Sequence, residues 1–361
     1  GAGPAGEARQ QDRVTVDLAV VDVAEFDYDL PADRIAQAPA ESRDASRLLV
    51  MNRANGALAD RHVRELPQLL RGGDCLVVND SRVIPARVLA EDLDGRPVEL
   101  LFVEAVSDGA WRALVRPGRR ARPGAHLRVG DARLRVVAAD PDGARVVARE
   151  HGTIPSLLDS HGLPPLPPYI THHAKPEPAD WQRYQTVYAR APGSVAAPTA
   201  GLHFTDALLE RLRAAGVEVH ALTLHVGAAT FRPVTSPTVE GHAIPPEAVS
   251  VPDATATAVN RARAQGRRVV AVGTTVTRAL ESAVGAAGRV QSFTGAATVT
   301  IRPGHVFRAV DALLTNFHLP RSSLLLLVAA FAGREPVLRA YRHAVAAGYR
   351  FYSYGDAMLI A

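Results

Sequence analysis

Residues 205–224 read TDALLERLRAAGVEVHALTL, and this stretch decides the fold class. Thr205 is a helix-capping residue, because its hydroxyl can take a free N–H at the start of a helix. Gly216 is of the type that stops one. A helix is therefore expected over Asp206–Ala215, with a strand over Val217–Leu224 behind it. Working outward, the same texture returns. A helix is expected over Asp253–Gln265 with Gly266 behind it, then a strand over Arg268–Val272 and a helix over Val276–Val284. A strand is expected at Thr298–Ile301, then helices over Ser323–Phe331 and Pro336–Ala347 and a strand over Tyr349–Ser353. On the N-terminal side, Leu48–Met51 and Cys75–Val78 are short apolar runs that suit buried strands. Leu66–Leu70 suits a short helix ended by Gly72-Gly73. Helices alternating with strands imply a layered α/β sheet with helices on its faces.

Between Asp94 and Arg149 the texture differs. The apolar segments Val98–Val106, Trp111–Val115, His126–Val129, Leu134–Ala138 and Arg145–Ala148 are short. Turn pairs separate them: Asp94-Gly95, Asp108-Gly109, Gly130-Asp131 and Asp142-Gly143. Strands this short and evenly spaced predict a small β-barrel. The expected organisation is a disordered tail at 1–13, a discontinuous α/β catalytic domain at 14–93 and 151–361, and an inserted β-barrel domain at 94–150. Pro164–Pro178, rich in proline and histidine, reads as an ordered loop.

The 361 residues are 47% hydrophobic and 22% charged, the balance of a globular chain. The net charge of +4 is carried almost wholly by arginine, which suits bidentate contact with phosphate or carboxylate. Cys75 is the only cysteine, so no disulfide framework is available and a reducing, cytoplasmic setting is expected. Residues 1–13 lack the apolar region of a signal peptide. The longest apolar run, Leu324–Ala332, is far short of the roughly 20 residues that span a bilayer. No membrane association is expected.

Several segments carry groups suited to chemistry. GSVAAPTAGLHF (193–204) is rich in small residues, so its backbone, with Thr199 and Gly201, can approach a ligand closely. Its His203 stands at a helix start that favours an anion, where an imidazole is expected to serve as acid or base near neutral pH. TLHVGAATFRP (223–233) places His225 at a strand end, ahead of Gly227, where ligands of open α/β sheets bind. GTT (273–275), with Thr274, Thr275 and nearby Arg278, is a candidate phosphate- or carboxylate-binding corner without a dinucleotide fingerprint. NDSRVIPAR (79–87) offers Asp80, able to pair with Arg82 or Arg87; a plain structural turn fits equally well. Arg116, Arg119, Arg120 and Arg122 concentrate positive charge on one loop and are candidate RNA contacts, although charge runs are usually solvated loops. TNFHLP (315–320) and the terminal YSYGDAM (352–358) supply Asn316, His318 and Asp356; helix capping is the simpler reading of Asp356. No His, Cys or acidic spacing matches a metal motif, and no metal is expected.

Taken in order, the runs YQTVYARAPGSVAAPTAGLHF (184–204), TLHVGAATFRP and VDALLTNFHLPRSS (310–323) resemble the S-adenosylmethionine:tRNA ribosyltransferase-isomerase family of queuosine biosynthesis. IAQAPAESRDASRLLV, VVNDSRVIPAR and YSYGDAMLI extend the resemblance from about Phe26 to Ile360. The resemblance implies an α/β domain with an inserted barrel. It also implies S-adenosylmethionine as co-substrate, with no separate cofactor, and the tRNA anticodon loop as partner. Family members transfer the ribosyl group to the aminomethyl group of a 7-deazaguanine at the wobble position and isomerise it to an epoxycyclopentane. Adenine and methionine leave, and the product is epoxyqueuosine. On this basis His203 and His225 are candidates for proton transfer, and Asp80 and Asp356 for orienting a hydroxyl or amine. Arg278 with Thr274 and Thr275 would hold a carboxylate. Two segments depart from the family pattern. HAIPPE (242–247) lacks the second histidine of His-x-Met-His-x-Glu, and TGAA (294–297) stands where a Trp-Thr pair is usual. A paralogue with a small-molecule acceptor, and a non-catalytic RNA-binding protein, are the competing expectations.

Overall fold

The computed structural model describes residues 20–107, 109–227 and 234–361. The expected tail at 1–13, Asp108 of one turn, and Ala228–Pro233 of the His225 loop lie outside the described residues. The chain begins with β1 (Arg47–Met51), β2 (Leu58–His62), α1 (Leu66–Leu69), β3 (Cys75–Asn79) and β4 (Ser81–Val83). Then come β5 (Arg87–Glu91), β6 (Pro97–Ser107), β7 (Ala110–Arg116), β8 (His126–Val129), β9 (Ala132–Ala139) and β10 (Arg145–Arg149). Helices α2 (Ile154–His161) and α3 (Asp180–Arg183) lead to β11 (Ala191–Ser194), α4 (Asp206–Ala214) and β12 (Glu218–Leu224). The rest is β13 (Glu247–Val251), α5 (Asp253–Ala264), β14 (Val269–Val272), α6 (Thr274–Ser282), β15 (Phe293–Ala297) and β16 (Ala312–Asn316). Helices α7 (Ser323–Ala332) and α8 (Arg334–Ala346) precede β17 (Ala357–Ile360).

Nine strands form the main sheet in the order β15-β13-β12-β3-β14-β16-β17-β1-β2. Its centre, β12-β3-β14-β16, is parallel throughout. A central parallel strand is covered on both faces, so β3 reads CLVVN with every residue buried. Successive residues point to opposite faces. Cys75 and Val77 enter one core with α5, α6, α7 and α8, while Leu76 and Val78 enter a second with α1 and α4. Thr205 caps α4 by accepting the Leu208 N–H, and Gly216, at φ +84°, ends its last turn.

Strands β10-β7-β6-β5-β8-β9 close into a barrel with its own core. Closure leaves no unpaired edge to template aggregation. Ile154, Leu157 and Leu158 of α2 join that core, and α2 is held by a capping box between Thr153 and Ser156. The barrel takes in Arg87–Glu91, ahead of the expected Asp94 boundary. That segment pairs antiparallel with residues 97–101, and Pro85 is the one break in the sequence between it and β4.

Two expected strands are displaced. Thr298–Ile301 is not a strand; residues 293–297 are, because they pair along β13 despite containing Gly295. Tyr349–Ser353 is a single bridge at Phe351 followed by a turn at Tyr352–Gly355, and the last strand is β17. Among the described residues, no helix is long and apolar enough to cross a membrane.

Candidate active site

The four central parallel strands all deliver polar residues at their carboxyl ends. β3 ends in Asn79 and Asp80, β12 leads to His225, β14 to Gly273-Thr274-Thr275, and β16 to Asn316-Phe317-His318. This edge is where open α/β sheets bind ligands, since helix N-termini and loops converge there. A pocket sits over β14 and β16, lined by Thr199, Thr274, Thr275, Asn316, His318 and Tyr352. Gly273 makes the turn into α6 at φ +94°, with Ala200 only 3.4 Å from where a side chain would start. Two buried oxygens among these residues have no hydrogen-bond partner: Thr275 Oγ1 and Asn316 Oδ1. Buried polar atoms are normally paired, so these two are available to a polar ligand.

Asn316 is fixed from behind. Its Nδ2 donates to the Tyr352 carbonyl at 3.0 Å and lies 3.3 Å from His203 Nε2. His203 is 4% exposed, at the end of the 3₁₀ turn Thr199–His203. Burial, with Arg350 and Arg43 nearby, pushes its pKa down to about 4. The ring is therefore neutral near pH 7, and its Nε2 can accept from the Asn316 amide. His318 is bonded to Thr315 Oγ1 at 2.8 Å, and burial pushes its pKa to about 3. Tyr352 closes the pocket in the left-handed region at φ 75°, a costly place for a residue with a side chain. Its ring meets that of Tyr169 edge-on at 3.9 Å, and Tyr169 Oη bonds Ser353 Oγ.

His225 belongs to a second cluster. Its ring lies against Gly193, where a β-carbon would come within 2.9 Å of Cε1, and Gly193 has φ +140°. Both facts require glycine there. His225 Nδ1 is buried without a partner. Burial lowers its pKa, against an upward pull from Asp80. Asp80 accepts from Thr223 Oγ1 at 2.6 Å and from Arg190 Nη2 at 2.7 Å. Asp80 thus pairs with Arg190 and not with Arg82 or Arg87, because β11 runs beside β4 and brings Arg190 over the strand end.

Several expected site residues are engaged elsewhere. Arg87 is buried between Glu99 of the barrel and the Leu166 carbonyl. Arg278 pairs with Glu247 and donates to the carbonyls of Pro245, Ala297 and Val299, so four of its five N–H donors are engaged within the protein and its charge already has a carboxylate partner. Both segments that depart from the family pattern meet at this one guanidinium. Gly227 donates to Glu247 Oε1 at 2.8 Å, and Gly201 packs on Tyr188 Oη. Asp356 is neither a helix cap nor a pocket group. Its two oxygens accept the Arg47 and Arg350 N–H groups and pin the last loop to β1. Arg82 is exposed on β4. Arg119, Arg120 and Arg122 line a shallow groove with Asp92 and Asp94, and Arg116 is exposed at the end of β7. Among the described residues, no group of three or more His, Cys, Asp or Glu side chains could hold a metal ion.

Thr315, Tyr352 and Ser353 lie within the two segments, TNFHLP and YSYGDAM, that the sequence marks as candidate site loops, although none was itself named as a site residue. Nothing local signals Arg190, whose partner is 110 positions away.

A mixed α/β sheet with a parallel centre, an inserted barrel and a polar pocket at the carboxyl edge of the parallel strands defines an α/β enzyme scaffold. The chain belongs to the family of queuosine biosynthesis proteins, whose profile matches residues 23–360. It is 54% identical over 345 residues to the S-adenosylmethionine:tRNA ribosyltransferase-isomerase of Thermus thermophilus, covering 93% of this chain and 98% of that one. Against the protein of the same name from Moorella thermoacetica it is 51% identical over 343 residues, with 94% and 99% covered. The crystal structure of S-adenosylmethionine tRNA ribosyltransferase from Thermotoga maritima is similar at a TM-score of 0.54 and 37% identity. That match covers 93% of this chain and 100% of that one.

Proposed function

We propose that this chain transfers the ribosyl group of S-adenosylmethionine to the aminomethyl group of 7-aminomethyl-7-deazaguanine in tRNA. The pentose isomerises to the epoxycyclopentane of epoxyqueuosine, and adenine and methionine leave. The observation that carries this reading is the near-full-length identity with ribosyltransferase-isomerases. The sulfonium activates the adjacent ribose carbon, so S-adenosylmethionine supplies the chemistry as co-substrate. A cytoplasmic location fits a tRNA substrate and a single buried cysteine.

The pocket's unpartnered Thr275 and Asn316 oxygens would receive polar groups of S-adenosylmethionine, with Thr199 and Thr274 beside them. His225, neutral and with a free ring nitrogen beside Asp80, suits the proton acceptor. His203 is better suited to positioning Asn316 than to proton transfer, since its Nε2 already faces that amide.

The test is adenine release, followed by chromatography, from S-adenosylmethionine with deazaguanine-bearing tRNA or with the free base. Release with tRNA alone supports the proposal. Release with the free base alone points to a small-molecule acceptor, the reading favoured by the altered segments around Arg278. No release with either rejects both.

A further inference from the structure

We propose that the RNA substrate lies in the groove around α3, with an unpaired base stacked on Trp181 and phosphates held by Arg82 and Arg190. This inference rests on the proposed action on tRNA and specifies where the RNA sits. Trp181 is 50% exposed, the only aromatic among the exposed large apolar side chains of the described residues. An indole left in water at a groove wall favours a stacking partner, and single-stranded nucleic acid supplies one in every base.

The ring is held ready. Asp180 fixes the short α3 helix from below: it accepts the Glu177 N–H at 2.8 Å and bonds His172 Nε2 at 3.1 Å and Tyr354 Oη at 3.0 Å. Tyr354 follows Tyr352 and Ser353, so the helix carrying Trp181 is tied to the wall of the pocket. Trp181, Arg82 and Gln185 border two grooves, one on each side. Gln185 bonds the N–H and the carbonyl of Val83, which fixes the strand that presents Arg82. Arg82 makes no ion pair among the described residues. Arg190 gives one nitrogen to Asp80, yet its side chain is 79% exposed. Thr186, 5% exposed on the groove wall, has an unpartnered hydroxyl.

Free cationic groups set the course of the strand. Each groove is bordered by two carboxylates, Glu41 and Asp206 toward α4 and Asp159 and Asp180 on the other side. Toward α4 the guanidiniums of Arg43 and Arg183 are already bonded to the carbonyls of Leu202, Gln182, Glu41 and Ala40, which leaves the Arg82–Arg190 side for phosphates. Arg190 on that side is bonded to Asp80, whose charge acts on His225. An RNA strand with one base stacked on Trp181 would therefore run past Arg190 toward the candidate proton acceptor, which a splayed loop nucleotide can reach. The arginine loop of the barrel lacks this combination: Asp92 and Asp94 border it and pair with Arg96, and no Trp, Tyr or Phe lines it.

The test uses the full chain and a deazaguanine-bearing anticodon stem-loop. Trp181→Ala is expected to raise KM for RNA roughly 5- to 150-fold, with KM for S-adenosylmethionine unchanged and Trp181→Phe restoring most of the loss. Arg82→Ala should lower the slope of log affinity against log salt by about 0.7, one single-strand phosphate contact. With Trp111→Phe, Trp181 is the sole tryptophan, and saturable quenching of its emission by the stem-loop is expected. RNA-dependent adenine release with unchanged KM in Trp181→Ala and no quenching would overturn the groove while leaving the proposed reaction intact. Absence of RNA-dependent release in the wild type would overturn both.

Discussion

Asn316 Nδ2 donates to the carbonyl of Tyr352 across 3.0 Å, and so joins the end of a central strand to a residue held at φ 75°. The opposite atom of the same amide, Oδ1, is buried and unpartnered in the pocket. One side chain thus holds the strained loop and presents an acceptor to ligand. Asn316→Ala should lower affinity for S-adenosylmethionine at least about tenfold, the effect of one buried hydrogen bond to a charged group. It should also lower thermal stability. Calorimetric titration and thermal melts measure the two effects, and full affinity in the variant would place the ligand elsewhere.

The two histidines should separate kinetically. His225→Asn is expected to lower kcat by 10²–10⁴, the usual range for a proton-transfer group. His203→Asn should act mainly on KM for S-adenosylmethionine through Asn316. Because burial lowers the His225 pKa, the acid limb of kcat/KM should fall below the ordinary histidine range. Asp80 pulls that pKa up, so Asp80→Asn should move the limb lower still. A limb at or above the ordinary range would remove His225 as the base.

Arg278 is a structural cation here. Arg278→Met leaves the Glu247 carboxylate buried without its partner, and losses of this kind run to about 3–5 kcal/mol. The double variant with Glu247→Leu should recover much of that. Urea denaturation of the single and double variants gives the comparison. A large rise in KM at unchanged stability would instead return Arg278 to ligand binding.

Acid should unfold the protein earlier than its carboxylates alone require. The pKa values of His203 and His318 in the fold, about 4 and about 3, lie below the ordinary 6.5. The unfolded chain therefore takes up more protons as pH falls below 6.5, and stability declines from there towards pH 4 and 3. For His203 the full loss is ~3 kcal/mol. Urea midpoints should be level from pH 7 to 8 and decline below 6.5, less steeply in His318→Gln. Level midpoints down to pH 5 would contradict neutral burial of these rings.

The layers and the barrel were legible because local signals agree with tertiary need. Thr205 and Gly216 bound a helix whose apolar side packs on the sheet, and Asp-Gly pairs fall where barrel strands reverse. Errors arose where pairing outweighed local signals. Residues 293–297 become a strand although Gly295 argues for a turn, since β13 offers an edge. Tyr349–Ser353 has strand composition, yet Asp356 clamps the chain into a bend. In the site, residues at strand ends were legible, since position along the chain fixes them. Pairings such as Asp80–Arg190 and Arg278–Glu247 were not, because they depend on which strands lie side by side.

The barrel enters and leaves the main body at one point. Arg87 and Leu163 exchange both backbone hydrogen bonds, at 3.2 and 2.7 Å. Excising the residues between them leaves two ends a single ladder rung apart, a gap that a two-residue hairpin turn spans. The insertion is in this sense a cassette: the chain path of the sheet that carries the pocket runs past it at one seam, Arg87–Leu163, without threading through it.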